Sequence, residues 1–217
     1  MKKNREALVN KLEKDGYIKS PEVKKAMLKV PREEFITQEN RDYAYLDQPL
    51  PIGEGQTISA PHMVALICEF LELKKGMKVL EIGTGFGYNA AVVAEIIGQE
   101  GHLYTTERIE GLFQLAVENL NRVGYKNITV LHIDGTKGLT DEAPFDRIYA
   151  TASAPKVPEP LKDQLKIGGR LLTPIGPQGY FQELVCIHRK DQNKFNSHKL
   201  GGVAFVPMIG EHGWPED

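Results

Sequence analysis

The segment Val79–Tyr88, which reads V-L-E-I-G-T-G-F-G-Y, limits the fold more than any other part of the chain. Its apolar residues predict a short buried strand, and Gly83, Gly85 and Gly87 follow at alternate positions. Glycine allows positive φ angles and, without a Cβ, lets a ligand come close to the backbone. An alanine- and valine-rich run then predicts a helix. Together these signals predict a strand, a glycine turn and a helix, as at the nucleotide-binding edge of α/β folds.

Strand and helix signals continue to alternate along the chain. Besides a strand at 78–82 and a helix at 88–97, we expect strands at 102–107, 128–133, 145–151 and 169–175 and helices at 109–123 and 158–166. This alternation predicts a doubly wound α/β fold, with helices on both faces of a mostly parallel sheet. Two further strands, at 180–189 and 203–209, are expected to extend its edge.

The residues before this alternation predict a helical extension. Within 4–36 we expect short helices, one of them beginning at Ser20-Pro21-Glu22 with a serine cap and proline in the first turn. Prolines and glycines at 43–61 predict a loop, and Pro61 begins the next helix. A length of 217 residues suits one domain, with an extension at 1–60 and an α/β core at 61–217.

The composition argues against several classes of protein. A formal net charge of −2, with no large block of one sign, does not indicate a broad nucleic-acid-binding surface. No apolar stretch reaches the ~18 residues of a membrane span, and the first residues are too charged for a signal peptide, so we expect a cytoplasmic protein. Cys68 and Cys186 lack metal-ligand spacing and are expected in the core. We predict no metal site.

The glycine turn fits only some nucleotide ligands. Its spacing, G-x-G-x-G, differs from the G-x-G-x-x-G of dinucleotide folds, and the Gly-Lys-Ser/Thr of a P-loop is absent. Ligands of open α/β sheets bind beyond the carboxyl ends of the strands, where the chain has Glu81, Glu107 and Asp134. Acids above a glycine floor, with no basic residue in the turn, favour a cationic ligand without phosphate. S-adenosylmethionine meets this description, and Glu107 could accept both of its ribose hydroxyls.

Each of these residues also has an interpretation without a ligand. The glycines could form only a tight turn, and Glu81 could bond backbone amides within its strand. Glu107 could be a solvated acid at a strand end, and Asp134 could form an Asx turn in D-G-T. These alternatives stay open for each position, although their combination favours a binding site.

A second stretch, Gly55–Ala65 (G-Q-T-I-S-A-P-H-M-V-A), is more specific than the glycine turn. Together with E-I-G-T-G-F-G-Y, it strongly resembles the protein-L-isoaspartate O-methyltransferase family. One departure is Phe86, where such enzymes often have serine, but the glycines around it remain. Further matching segments follow in the family's order and extend the resemblance over nearly the whole chain: 104–109, 134–138, 143–148, 152–158, 165–176 and 203–210.

The resemblance implies a methyltransferase fold and a repair reaction. Such enzymes transfer the methyl group of S-adenosylmethionine to the free α-carboxylate of L-isoaspartyl residues in damaged proteins and peptides, leaving S-adenosylhomocysteine. The ester closes to a succinimide, whose hydrolysis regenerates some normal aspartate. A carboxylate is already ionised at neutral pH, because its pKa is near ~4. It therefore needs no general base and no metal, only alignment with the methyl group.

Matching motifs carry the family's site residues onto this chain. Ser59 is expected to be catalytic, its hydroxyl donating to one carboxylate oxygen, unless it only caps the helix that begins at Pro61. Val206 and Pro207 would offer backbone groups to the substrate peptide. The expected cofactor-binding residues are Thr57, Ile58, Ser59, His62, Glu81, Gly83, Thr84, Gly85, Gly87, Glu107, Asp134 and Gly135.

Two other functions compete with protein repair. A tRNA or small-molecule methyltransferase would share the cofactor half, but it predicts a basic groove or an N-P-P-Y-like motif where this chain has Ala152-Ser153-Ala154-Pro155. A non-catalytic binding module predicts eroded glycines and acids, and these are all present. We therefore expect a monomeric enzyme whose partners are isoaspartyl proteins and peptides, without nucleic acid or membrane.

Overall fold

The computed structural model describes residues 1–179 and 181–216 and contains a central sheet with helices on both faces. The helices are α1 Lys2–Lys14, α2 Pro21–Lys29, α3 Pro61–Leu71, α4 Tyr88–Ile97, α5 Glu110–Val123 and α6 Glu159–Asp163. The strands are β1 Leu50–Gly53, β2 Gln56–Ile58, β3 Lys78–Ile82, β4 His102–Glu107, β5 Ile128–His132, β6 Phe145–Ala150, β7 Leu165–Ile175, β8 Gln182–Asp191 and β9 Lys194–Val203.

The sheet has the order β5-β4-β3-β6-β7-β8-β9. Strands β3 to β7 run parallel to one another, whereas β8 is antiparallel to both β7 and β9. The predicted α/β class, with its added C-terminal strands, is therefore confirmed. The strand order reverses at β3, which pairs with both β4 and β6. A crevice beyond the carboxyl ends of the strands is expected at such a switch point, and the glycine turn lies there.

The junction between α6 and β7 differs from the sequence prediction. The helix predicted at 158–166 ends at Asp163, and β7 begins at Leu165 rather than at residue 169. Gly168 and Gly169 therefore lie within the strand instead of between a helix and a strand. They fall in an irregularity, since Phe145 pairs with Leu165 but Arg147 pairs with Arg170, and Gly168 has a φ of +81°. Glycine tolerates the local backbone of such a bulge.

The last predicted strand, at 203–209, was also misplaced. The structure has β9 at Lys194–Val203, paired with β8, while residues 204–209 make only isolated bridges, including Ser153 with Pro207. Strand β9 escaped prediction because it is a mostly exposed edge strand with polar residues on both faces. Residue 180 of the strand predicted at 180–189 lies outside the described residues, and β8 covers Gln182–Asp191.

The N-terminal extension contains the predicted helices and one unpredicted hairpin. The Ser20 hydroxyl accepts a hydrogen bond from Val23 N, as expected of a cap. Within 43–61, predicted to be a loop, β1 and β2 form an antiparallel hairpin. Its turn residues Glu54 and Gly55 both have positive φ, at +52° and +68°, the requirement of a type I′ turn.

The extension shares its apolar core with the sheet. Leu12 and Val23 belong to the same buried cluster as Val79 of β3. Cys68 and Cys186 are buried and unbonded to each other, as predicted for core residues. In the described ranges, no helix combines the length and apolar character needed to cross a membrane.

Candidate active site

A cleft of roughly 870 Å³, including its open mouth, lies beyond the carboxyl end of β3. Its walls come from four places: the hairpin with the residues after it, the glycine turn, the ends of β4 to β6, and residues 206–209. The two stretches singled out in the sequence, 55–65 and 79–88, therefore face one cavity.

The glycine turn forms the floor of the cleft. Gly83, Gly85 and Gly87 have φ angles of +94°, +55° and +94°, which L side chains rarely adopt. A Cβ on Gly83 would stand 2.6 Å from Thr151 Oγ1, so space as well as backbone conformation excludes a side chain. Phe86 adds an apolar group to the lining and is 7% exposed. The floor is consequently formed by backbone, which a ligand can approach closely.

Glu107, at the end of β4, is the acid that lines the cleft among the described residues. Its Oε2 accepts from Gly85 N and its Oε1 from Ile109 N, each at 3.0 Å. These bonds fix the carboxylate beside the glycine turn and leave each oxygen further acceptor capacity. The neighbouring Arg108 also lines the cleft, and its guanidinium pairs with Glu216 at 2.9 Å. Glu107 is thus suited to accept a pair of hydroxyl groups.

Glu81 lies beneath the floor rather than in it. It is fully buried and does not line the cleft. Its Oε2 accepts from Thr105 Oγ1 at 2.6 Å, and Thr105 Oγ1 is in turn 2.6 Å from Thr84 Oγ1. Burial raises the pKa of Glu81 to about 8, against the lowering effect of the Thr105 hydrogen bond. Its connection to the cleft is therefore indirect, through Thr84, which does line it.

Asp134 and Gly135 have separate positions at the end of β5. Gly135 lines the cleft, and a Cβ on it would stand 2.2 Å from Thr106 Oγ1. Asp134 does not line the cleft, because its Oδ1 accepts from Thr136 N at 2.9 Å and its Oδ2 from Glu211 N at 2.9 Å. Burial alone would raise the pKa of Asp134, but these hydrogen bonds hold it below its ordinary value. Asp134 thus ties residues 211–212 to the end of β5.

Ser59 lines the cleft, together with Thr57 and Ile58. Helix α3 has Ala60 at its N-cap and no side-chain capping bond, so the alternative role of Ser59 as a helix cap is wrong. In residues 1–179 and 181–216, no group forms a hydrogen bond with the Ser59 hydroxyl. Its hydroxyl is consequently available to a ligand.

His62 contacts Asp47 instead of the cleft. It does not line the cleft. Its backbone N and its Nδ1 both lie 2.9 Å from Asp47 Oδ1, and its ring packs against Tyr17 with centroids 5.2 Å apart. This arrangement caps the first turn of α3 from a distant residue.

Val206 and Pro207 line the cleft on its remaining side. The Val206 carbonyl accepts from Ser153 N at 2.8 Å, and Met208 N donates to the Ser153 carbonyl at 2.8 Å. Among the described residues nothing bonds to Val206 N–H or to the Pro207 carbonyl. The segment is therefore anchored to Ser153 through the Val206 carbonyl and Met208 N, while Val206 N–H and the Pro207 carbonyl remain unpaired among the described residues.

Sequence reasoning missed two residues that shape the Ser59 wall. Asp47 caps α3 from the preceding loop. Arg32 donates from Nη1 to the Ser59 carbonyl at 2.8 Å across 27 residues. No local pattern indicates either contact, since both depend on how the loop folds back on the extension.

Comparisons with known proteins agree with this geometry. A sequence model of the protein-L-isoaspartate(D-aspartate) O-methyltransferase family matches residues 2–213. The protein-L-isoaspartate O-methyltransferase of Methanothermobacter thermautotrophicus is 60% identical over 214 residues, 99% of each chain. The one of Thermococcus sibiricus is 52% identical over 213 residues, covering 96% of this chain and 95% of the relative.

Solved structures give the same result. A protein-L-isoaspartate O-methyltransferase superposes with a TM-score of 0.89 at 35% identity, covering 96% of this chain and 67% of that one. A Plasmodium falciparum structure assigned to the same family, in complex with S-adenosyl-L-homocysteine, gives a TM-score of 0.84 at 30% identity, covering 94% and 98%. The resemblance predicted from the motifs is confirmed, and the chain belongs to the protein-L-isoaspartate(D-aspartate) O-methyltransferase family.

Proposed function

We propose that this protein transfers a methyl group from S-adenosylmethionine to the free α-carboxylate of L-isoaspartyl residues in damaged proteins and peptides. The ester then closes to a succinimide, and repair begins. Family membership over residues 2–213 supports this reaction. The observation that carries it is the meeting of the Ser59 stretch and the glycine floor across one cleft.

The residues that line the cleft support S-adenosylmethionine as its ligand. A Cβ on Gly83 or Gly135 would clash with a threonine hydroxyl at 2.6 or 2.2 Å, so packing keeps both positions as glycine, and both present bare backbone to the cleft. Glu107 presents an anchored carboxylate to a ribose diol, and Ile109 and Leu112 add apolar lining for the base. When bound, S-adenosylmethionine supplies an electrophilic methyl group.

Ser59, Val206 and Pro207 would hold the methyl acceptor. The Ser59 hydroxyl can donate to one oxygen of the isoaspartyl carboxylate and direct the other toward the methyl group. The free N–H of Val206 and carbonyl of Pro207 can pair with the backbone of a peptide, a mode of recognition that tolerates different side chains. The acceptor is ionised at neutral pH, so the protein's contribution is alignment and exclusion of water.

A pair of peptides that differ only in the linkage of one aspartate tests this function. Purified protein should transfer labelled methyl from S-adenosylmethionine to the isoaspartyl peptide and not to its normal aspartyl twin. Equal labelling of the two peptides, or none of either, would overturn the proposal.

Ser59→Ala tests the role of the hydroxyl. We expect kcat to fall about 10- to 100-fold, because one hydrogen bond to a charged group contributes about 1.5–3 kcal/mol. The dissociation constant of S-adenosylmethionine should change less than threefold by calorimetry. Ser197→Ala, on the exposed strand β9, is the control and should leave both quantities unchanged. An unaltered kcat in Ser59→Ala would remove the hydroxyl from the reaction.

The organisation of the enzyme belongs to the same proposal. We infer that residues 1–217 act as one domain, in a cytoplasmic monomer that needs no nucleic acid. A net charge of −2 supports the absence of a nucleic-acid partner. Light scattering after size-exclusion chromatography should give a mass near 24.2 kDa, and a mass twice as large would contradict the monomer.

A further inference from the structure

Arg32 is a completely buried cation without a carboxylate at ion-pair distance among the described residues. It begins the 3₁₀ turn Arg32–Glu34, directly after Pro31. Burial lowers the pKa of Arg32 to about 10, which leaves the guanidinium charged at neutral pH. A buried charge is costly unless hydrogen bonds compensate for the lost water. The groups that form hydrogen bonds with the buried guanidinium therefore indicate the role of Arg32.

All three partners of Arg32 are backbone carbonyls of one segment, residues 44–59, which we call the Ser59 loop. Nε donates to Ala44 O at 2.9 Å, Nη2 to Gln48 O at 3.3 Å and Nη1 to Ser59 O at 2.8 Å. A planar guanidinium has fixed donor directions, so three bonds fix the relative positions of three points on the loop. In the described ranges no other group donates to Ser59 O.

The same guanidinium also contacts Tyr88, next to the glycine turn that forms the floor of the cleft. Its central carbon lies 5.1 Å from the centre of the Tyr88 ring, a cation–π distance. Tyr88 is the first residue of α4, directly after the glycine turn, and it lines the cleft. Arg32 thus stands between the wall that carries Ser59 and the floor.

Ser59 itself lies outside the regular structure of the Ser59 loop. The β1–β2 hairpin ends at Ile58, and α3 begins at Pro61. Between them, the Ser59 carbonyl relies on Arg32, and the first turn of α3 is held by Asp47, which itself belongs to the Ser59 loop. Loss of the guanidinium would therefore release Ser59 together with the loop, whereas α3 keeps its own helical backbone from Pro61 to Leu71.

We propose that Arg32 is a positioning residue for methyl transfer, which sets the Ser59 loop against the glycine floor so that the Ser59 hydroxyl meets the acceptor carboxylate. The inference rests on the proposed role of Ser59. Arg32 touches neither reactant, because it is fully buried and does not line the cleft. Arg32 affects turnover only by holding Ser59 in place.

The test compares Arg32→Lys with a matched control, Arg147→Lys. Arg147 is 8% exposed and also donates to carbonyls, including those of Glu72 and Asp146, but it contacts neither the Ser59 loop nor the cleft. Lysine keeps the charge and most of the stem but cannot reach three carbonyls in a fixed geometry. In both variants kcat, the KM of an isoaspartyl peptide, the cofactor dissociation constant and thermal stability are measured.

We expect Arg32→Lys to lower kcat about 100-fold, as a displacement of about 1 Å would. The KM of the peptide and the dissociation constant of S-adenosylmethionine should change less than fivefold. Arg147→Lys should change kcat less than threefold, even if its melting temperature falls as far as that of Arg32→Lys. A folded Arg32→Lys with normal kcat would overturn the proposal, as would losses of kcat in both variants that follow their stability.

Two further readouts separate positioning from general damage. Amide hydrogen exchange in Arg32→Lys should accelerate at residues 44–60 and remain unchanged at 78–107. Guanidinium chloride at low millimolar concentration should raise the kcat of Arg32→Ala at least fivefold, which sodium chloride should not do. Exchange that accelerates equally along the whole described chain, or absence of rescue by guanidinium, would contradict the inference. If Arg32→Lys does not fold, Arg32→Gln is used in its place.

These readouts also distinguish this inference from the proposed function. If the wild-type protein does not methylate the isoaspartyl peptide, the proposed function fails. The exchange experiment still reports whether Arg32 fixes the Ser59 loop, because it requires no methyl acceptor.

Discussion

The buried carboxyl of Glu81 should make the stability of this protein depend on pH. Glu81 has no exposed surface, and burial raises its pKa from 4.5 to about 8. Because the pKa is higher in the folded than in the unfolded state, folding retains a proton between these two values. The stabilisation is complete below pH 4.5, declines as the pH rises, and levels off above pH 8.

Glu81→Gln removes this dependence, because the amide has the same shape and does not titrate. Its carbonyl oxygen can still accept from Thr105, and its amino group can donate to the neighbouring Tyr149 hydroxyl. A pKa difference between 4.5 and about 8 corresponds to about 5 kcal/mol above pH 8. Since a buried site relaxes when it becomes charged, we expect Glu81→Gln to be more stable than the wild type by about 2–4 kcal/mol at pH 9. At pH 5 the gain should be below about 1 kcal/mol.

Urea unfolding at pH 5, 7 and 9 measures this effect as the difference between the variant and the wild type, so that other titrating groups cancel. Glu118→Gln, on the exposed face of α5, is the control and should shift the free energy of unfolding equally at each pH. A Glu81→Gln variant whose stability relative to the wild type does not rise from pH 5 to pH 9 would refute the argument. So would a variant that is less stable at pH 9.

Two further substitutions test the cleft itself. Glu107→Gln should weaken the binding of S-adenosylmethionine about 10- to 100-fold by calorimetry, because it replaces charge-assisted hydrogen bonds and sets an amide against the N–H groups of Gly85 and Ile109; unchanged affinity would exclude Glu107 from the site. Gly135→Ala should lower the free energy of unfolding by about 1–3 kcal/mol, because its Cβ would stand 2.2 Å from a threonine oxygen. Gly111→Ala, whose Cβ would meet nothing within 4 Å in α5, should instead stabilise the protein slightly, and equal losses in the two variants would contradict the steric explanation.

Local sequence signals predicted the parts of the fold that depend on local patterns. The glycine spacing and the apolar run at 79–82 placed the β3–α4 unit at 78–82 and 88–97, where the structure has it. The predicted positions of later elements were wrong where the sequence pattern was ambiguous. Gly168 and Gly169 have the composition of a turn, but β6 continues to pair with β7 on both sides of them. Strand β9 has no apolar face for a periodicity to reveal.

In the candidate site, too, local motifs predicted some residues correctly, whereas contacts between distant parts of the chain escaped prediction. Gly83, Gly85 and Glu107 belong to motifs, and the structure brings them to one cleft. Glu81 and Asp134 have the residue types that a ligand site uses, but their carboxylates are occupied by Thr105 and by the 211 segment. Such competition between a ligand and a distant part of the chain cannot be seen in a local pattern. Neither can a contact such as that of Arg32, which joins residues far apart.

The hydrogen bonds of Asp134 have a consequence for the chemical durability of the protein itself. Asp134 precedes Gly135, and glycine offers the least hindered backbone nitrogen for attack on an aspartyl side chain. Ring closure to a succinimide requires the carboxyl carbon to swing toward that nitrogen and is slow from the ionised form. The bonds from Thr136 and Glu211 restrain both oxygens of the carboxylate, and the lowered pKa keeps the group ionised. An enzyme proposed to repair such damage thus carries a vulnerable dipeptide at its own cleft, fixed in a conformation that resists ageing.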